Sequence, residues 1–107
     1  MKTKYKEIVT QEGQKAVSFD IETSKGQAHG IFKNDKIWVH GISGKGSVKG
    51  IMDVLVNKFK TNKAVFTPLI NDNIKNVIDG EVKVLKADDI RNPYKEDMEY
   101  LECEWRR

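Results

Sequence analysis

The chain has 107 residues, a length typical of one domain with a small core. Its 19 basic and 16 acidic residues give a formal net charge of +3, which is too small to indicate a nucleic-acid-binding protein by itself. No apolar run approaches the roughly 18 residues of a membrane span, no signal segment opens the chain, and a single cysteine excludes an internal disulfide. We therefore expect a soluble, cytoplasmic protein.

The first quarter of the chain predicts β-structure behind a frayed end. Met1 to Tyr5 is polar, so we expect residues 1–7 to be disordered, and a short strand can begin only at Ile8. From Ala16 to Glu22, apolar and polar residues alternate with the period of a half-buried strand. Polar and glycine-containing turns are predicted on both sides of this strand.

Two further strands form a predicted hairpin. Gln27 to Lys33 and Lys36 to Ile42 flank Asn34-Asp35, two residues that tolerate positive φ and suit a two-residue turn. The turn fixes a register that pairs Phe32 with Ile37, Ile31 with Trp38, Gly30 with Val39, and His29 with His40. Ala28, Phe32, Ile37 and Val39 then share one face, and Ile31, Trp38 and Ile42 share the other. Both faces are apolar, which predicts a central sheet in a layered α/β domain.

The stretch from Lys36 to Lys60 joins this hairpin to a helix through a glycine-rich bend. Apolar residues recur at helical spacing from Ser47 to Lys60 and predict an amphipathic helix. A bend that ends at a helix N-terminus presents backbone N–H groups and the positive end of the helix dipole, which together form a phosphate-sized anion site. Hydroxyls and lysines in and beside the bend would strengthen it: Ser43, Lys45, Ser47 and Lys49. The alternative is that the glycines only make a tight turn.

The second half of the chain predicts another strand, a short helix and two strands. Ala64 to Ile70 is apolar but is interrupted by Pro68, which cannot donate to a ladder. Asn71 to Gly80 has helix-capping residues at both ends. Two more strands are predicted, Glu81 to Lys86 and Met98 to Trp105, separated by a loop from Ala87 to Lys95. The predicted order is β-β-β-α-β-α-β-β in a single α+β domain, with room for one more short strand at the front.

This order, with a glycine-rich bend between a central strand and the first long helix, resembles the GNAT (Gcn5-related N-acetyltransferase) fold, a mixed and mostly antiparallel sheet. In that family, backbone amides of an Arg/Gln-x-x-Gly-x-Gly/Ala signature bind the pyrophosphate of acetyl-coenzyme A. Ser43 to Val48 matches the position of the signature and part of its pattern. The resemblance implies acetyl-coenzyme A as cofactor, bound by Val39, Gly41, Ser43, Gly44, Lys45, Gly46, Ser47 and Lys49. It implies no metal.

The chain departs from the family at three places. Ser43 replaces the Arg or Gln of the signature, and Asn76 stands where the family commonly has a Tyr as general acid. The two helices that normally follow the first strand have no room between the turns at Gly13 and Gly26. A second copy of the chain is therefore expected to cover that sheet face as a homodimer. Compact versions of this kind resemble those that phages and other mobile elements encode.

Acetyl transfer from a thioester to an amine needs a base and a group that polarises the carbonyl. Backbone N–H groups near Val39 to Gly41 can polarise the carbonyl if the next strand diverges there. His40, at the end of the central strand, is the first candidate for the base, and Glu22 is the second. Asn76 can orient the thioester by hydrogen bonds. For His40 and Asn76, the alternative is an ordinary surface residue.

Other chemistries have weaker support in the sequence. His29 and His40 lack a third metal ligand. Trp38 and Trp105 can stack on an adenine ring, but strand aromatics are more often core residues. Cys103 is predicted to be buried.

Three hypotheses follow. The first is a small acyl-coenzyme A-dependent N-acyltransferase. The second is an inactive GNAT-like domain that binds or inhibits a protein partner. The third, ranked last, is a nucleic-acid binder that uses the lysines between positions 45 and 63.

Overall fold

A computed structural model describes residues 1–44, 47–66, 81–89 and 96–105. The described residues form seven strands and one helix. In chain order these are β1 (Lys2–Val9), β2 (Lys15–Glu22), β3 (Gln27–Lys33), β4 (Lys36–Ser43), α1 (Val48–Phe59), β5 (Lys63–Phe66), β6 (Glu81–Leu85) and β7 (Met98–Glu104). The fold class is therefore α+β. The second predicted helix, Asn71 to Gly80, and the residues around Pro68 lie outside the described residues.

All seven strands belong to one sheet, in the order β1-β2-β3-β4-β5-β7-β6. Every neighbouring pair is antiparallel except β4 and β5, which are parallel and are connected through α1. A parallel pair needs a crossover connection, and the amphipathic sequence after the glycine-rich bend provides the helix for it. The predicted mixed, mostly antiparallel sheet is confirmed.

The first strand corrects the expectation of a disordered N-terminus. β1 pairs with β2 along its whole length, from Lys2 opposite Glu22 to Val9 opposite Lys15. Its lysines make the segment polar, but they alternate with Thr3, Tyr5 and Glu7, which is the period of a strand. Half-buried Tyr5 packs against the core, so the segment contributes to the fold.

The hairpin turn between β3 and β4 has the predicted geometry. Asn34 and Asp35 have φ angles of 51° and 62°, as a type I′ turn requires. Three predicted pairs are confirmed, from Phe32 with Ile37 to Gly30 with Val39. The fourth was wrong, because β4 has one extra residue at His40 and His29 pairs with Gly41 instead.

This β-bulge changes the face of the sheet on which the side chains at the end of β4 lie. Ile42 pairs with Ala28, whose side chain is buried in the core, and Ile42 itself packs against that core. The prediction that Ile42 shares a face with Ile31 and Trp38 was therefore wrong. A bulge shifts the alternation by one residue, and no local sequence pattern marked it.

The core lies between α1 and one face of the sheet. Ile51, Met52 and Leu55 of the helix are fully buried against strand residues such as Ile37 and Phe66. At the C-terminal end of the helix, the ring of Phe59 stacks on that of Phe32, with 4.5 Å between their centroids. It also packs edge to face with the ring of Tyr5. The helix ends as predicted at Lys60, which has left-handed backbone geometry.

Within the described residues, no helix is long and apolar enough to cross a membrane.

Candidate functional site

Strand β4 and helix α1 meet at the end of the sheet where the sequence predicted an anion site. Gly44 has a φ of 105°, a left-handed conformation that favours glycine. Ser47 is the N-cap residue, and the helix proper begins at Val48. Lys45 and Gly46, two of the predicted cofactor ligands, lie outside the described residues.

The turn between β2 and β3 supports this junction, a contact that no sequence pattern indicated. A Cβ on Gly26 would lie 1.9 Å from the carbonyl oxygen of Ser43 and 2.6 Å from the Cα of Gly44. A Cβ on Gly44 would lie 2.0 Å from the carbonyl oxygen of Lys25. The two backbones are therefore in direct contact, and Gly44 serves the packing of the turn itself.

Thr23 fixes the shape of that supporting turn. Its hydroxyl oxygen accepts hydrogen bonds from the backbone N–H groups of Lys25, at 3.1 Å, and Gly26, at 3.0 Å. The same hydroxyl donates to the carbonyl of Gly26 at 2.9 Å. A turn stabilised in this way presents Gly26 to the β4–α1 junction in one conformation.

The Ser47 hydroxyl is engaged within the bend. The Ser47 side chain is buried, 5% exposed, and its hydroxyl lies 2.8 Å from the carbonyl oxygen of Gly44 and 3.2 Å from that of Ser43. A hydroxyl that donates to these carbonyls closes the bend and is not available to an anion. That the Ser47 side chain binds phosphate stays a prediction, against which this contact weighs.

The helix N-terminus keeps the electrostatic character of an anion site. Ser47 makes no side-chain capping bond, and the first turn contains no acidic residue. The first N–H groups of any α-helix lack partners within the helix. Lys49 adds a positive charge on a side chain that is 73% exposed, although Asp53 accepts a hydrogen bond from its ammonium at 3.0 Å. Exposed Ser43 lies at the end of β4, beside this turn.

The parallel pair of β4 and β5 is described only as far as Phe66. The last pair between them joins Val39 and Phe66, and β4 runs on through Ser43. The described part of β5 ends at Phe66. What β4 pairs with beyond Val39 on that side lies outside the described residues. This is the segment for which the sequence predicted a polarising backbone N–H.

Two imidazoles lie at the bulge. His40 is the extra residue of β4 and is exposed, while His29 of β3 packs against Gly41. A Cβ on Gly41 would lie 2.3 Å from Cε1 of His29, so the ring occupies the space that a side chain would need. Asp20 of β2 is the cross-strand neighbour of His29 on its other side. From the sequence, His29 was a candidate only as a metal ligand. The glycine one residue after His40 was the available signal for this packing.

The remaining predicted site residues have structural surroundings or lie elsewhere. The side chain of Val39 is buried in the core, so only its backbone can reach a ligand. Asn76 lies outside the described residues. Trp105 donates from Nε1 to Asp53 at 2.9 Å, and Trp38 donates to the carbonyl of Lys33 at 3.3 Å. These contacts favour structural roles for both indoles over adenine stacking.

Cys103 and the metal hypothesis offer little further chemistry. Burial raises the pKa of the Cys103 thiol to about 11, which keeps it protonated at neutral pH. No group of three or more His, Cys, Asp or Glu side chains in the described part of the chain is arranged to hold a metal ion.

The chain matches no protein-family model and has no significant match among curated proteins or solved structures.

Proposed function

We propose that the chain is a GNAT-like protein that binds an acyl-coenzyme A at the β4–α1 junction and transfers its acetyl group to an amine. The observation that carries the proposal is the combination of a glycine-containing bend at the end of β4, a supporting turn at Gly26 and a helix N-terminus without a side-chain cap. Each part has a use in holding a long cofactor with phosphates at one end and a thioester at the other.

The junction suits the phosphates of such a cofactor. The backbone N–H groups that open α1 and the positive end of its dipole favour a bound pyrophosphate. Lys49 contributes positive charge from the first turn, shared with Asp53. The turn at Gly26 packs on Ser43, Gly44 and Ser47, so the described ends of the bend are held before a ligand binds.

The end of β4 suits the thioester. Acetyl-coenzyme A, when bound, supplies an acyl group already activated as a thioester. A backbone N–H between His40 and Ser43 would donate to the carbonyl oxygen and stabilise the negative charge that develops there. His40 would take the proton from the acceptor ammonium so that the neutral amine can attack, and His29 is another candidate for the same step. As the amide bond forms, the acyl carbon–sulfur bond would break, and coenzyme A would leave as a thiolate that takes a proton from the imidazolium or from water.

A catalytically inactive protein-binding or inhibitory module is the second candidate. The observation that favours it is the short connection between β1 and β2, which consists of residues 10–14 and leaves no helix there to form a wall for the acceptor amine. Ser43 in place of the Arg or Gln weakens the cofactor site as well. A homodimer that completes the missing wall remains a prediction, and a monomeric mass at micromolar concentration would contradict it.

Calorimetric titration with coenzyme A and acetyl-coenzyme A tests the proposal. Wild-type protein should bind both with micromolar affinity, and Gly46→Asp should abolish binding by adding a negative charge to the bend. Gly13→Asp is the matched control, because Gly13 lies in the β1–β2 turn and a Cβ added there would meet no atom within 4 Å. Its φ of 80° costs the variant some stability, although aspartate tolerates this conformation better than most residues, so the variant also controls for a loss of stability. That turn lies at the opposite end of the sheet from the junction.

The outcomes separate the two candidates. Binding that survives in Gly13→Asp but not in Gly46→Asp, followed by acetylation of a simple diamine, supports the transferase. Binding without transfer to any amine supports the inactive module. Failure of the folded wild type to bind at millimolar coenzyme A would refute the cofactor site.

A further inference from the structure

Strand β1 forms one edge of the sheet and offers an interaction surface that the proposed function does not use. It is eight residues long, whereas strands average about five or six, and its outer side faces no other strand in the described part of the chain. Only Tyr5 and Ile8 are half-buried, and Val9 is 69% exposed. A long exposed edge presents a row of backbone N–H and C=O groups that can pair with another strand.

Lysines give this edge a distinct charge pattern. Lys2, Lys4 and Lys6 alternate along β1, so they lie on one face of the sheet at a spacing of about 6.8 Å. All three are exposed. Among the described residues none of them forms an ion pair, although Glu22 and Asp20 are the cross-strand neighbours of Lys2 and Lys4.

The same lysines disfavour pairing between two copies of the chain. Two β1 strands, one from each copy, could pair antiparallel about a two-fold axis with the lysines of both on the same face of the sheet. Such a pair would bring Lys4 opposite Lys4, and Lys2 opposite Lys6. Like charges directly opposite one another are destabilising. The chain's own acidic strand, β7, is already paired with β5 on one side and β6 on the other.

We propose that the β1 edge binds an extended acidic segment of another protein by β-strand addition. The partner strand pairs its backbone with β1 and places acidic side chains at alternate positions, where each lies opposite a lysine. Backbone hydrogen bonds provide the affinity, and the alternating charges select the sequence and its register. This inference is independent of coenzyme A binding, since it uses none of the residues of the β4–α1 junction.

A capped eight-residue peptide that alternates aspartate with threonine tests the proposal. Wild-type protein should bind it, and should bind more weakly a peptide of the same composition in which the aspartates form one block. Lys4→Glu/Lys6→Glu should weaken binding of the alternating peptide about tenfold or more. Lys25→Glu/Lys60→Glu, which makes the same charge change at exposed positions outside β1, should bind like the wild type.

Two readouts keep the test independent of any loss of folding. An alternating lysine–threonine peptide should bind the Lys4→Glu/Lys6→Glu protein better than the wild type, which an unfolded variant would not do. Amide hydrogen exchange should show new protection at alternate residues of β1 when the acidic peptide binds. No binding at millimolar peptide, equal binding of the block peptide, equal weakening by the Lys25/Lys60 variant, or unchanged β1 exchange would each overturn the proposal.

Discussion

Gly26→Ala should destabilise the protein by disturbing the contact that holds the β4–α1 junction. The added methyl would lie 1.9 Å from the carbonyl oxygen of Ser43, 2.6 Å from the Cα of Gly44 and 2.7 Å from Oγ of Ser47. Two of these three atoms are backbone, so the clash cannot be relieved by a change of rotamer. Overpacking of this kind costs about 1–3 kcal/mol, and the backbone contacts favour the upper end, about 3 kcal/mol.

Thermal and urea denaturation measure the effect directly. For a domain of this size, 3 kcal/mol corresponds to a fall in Tm of about 12–24 °C. Gly50→Ala is the control, because a methyl there meets nothing within 4 Å and replaces glycine inside α1. It should stabilise the protein by about 0.5 kcal/mol. Equal stability of the two variants would refute the argument that the β2–β3 turn supports the junction.

Three further predictions concern the rest of the fold. Phe59→Ala removes the ring stacked on Phe32 and should lower the free energy of unfolding in urea by about 2–3 kcal/mol, whereas Phe59→Leu should cost less. Asp35→Gly should raise the free energy of unfolding by about 0.5–1 kcal/mol, since Asn-Gly is the preferred type I′ turn. An unchanged or lower free energy of unfolding would count against that turn. Because burial raises the pKa of Cys103 to about 11, its thiol should react with iodoacetamide at pH 8 about 100-fold more slowly than in urea-unfolded protein. Equal rates would show that the thiol is accessible in the native state.

The elements with a strong local pattern were predictable from the sequence. Alternation predicted β2 and β7, helical spacing predicted α1, and the positive φ tolerance of Asn34-Asp35 predicted the β3–β4 hairpin with most of its register. These predictions succeeded because each pattern is the direct consequence of which face the tertiary structure buries.

The features that the sequence patterns did not indicate depend on contacts between distant parts of the chain. Only the end of β1, from Ile8, was predicted as a strand. Lys2 to Glu7 was missed because its half-buried face carries Tyr5 between polar residues, and only pairing with β2 makes it a strand. The bulge at His40 reflects the packing of His29 on Gly41. The burial of Ser47 depends on the neighbouring turn at Gly26. None of these contacts leaves a periodic signal in the sequence.

Amide chemical-shift mapping with coenzyme A would test the central proposal most directly. A titration of ¹⁵N-labelled protein should shift the amides of His40 to Gly44 and of Ser47 to Gly50 most, and should leave residues 10–14 at the other end of the sheet unchanged. Saturable shifts confined to the junction would support cofactor binding there. No shifts at millimolar coenzyme A, or shifts centred away from the junction, would contradict the proposal.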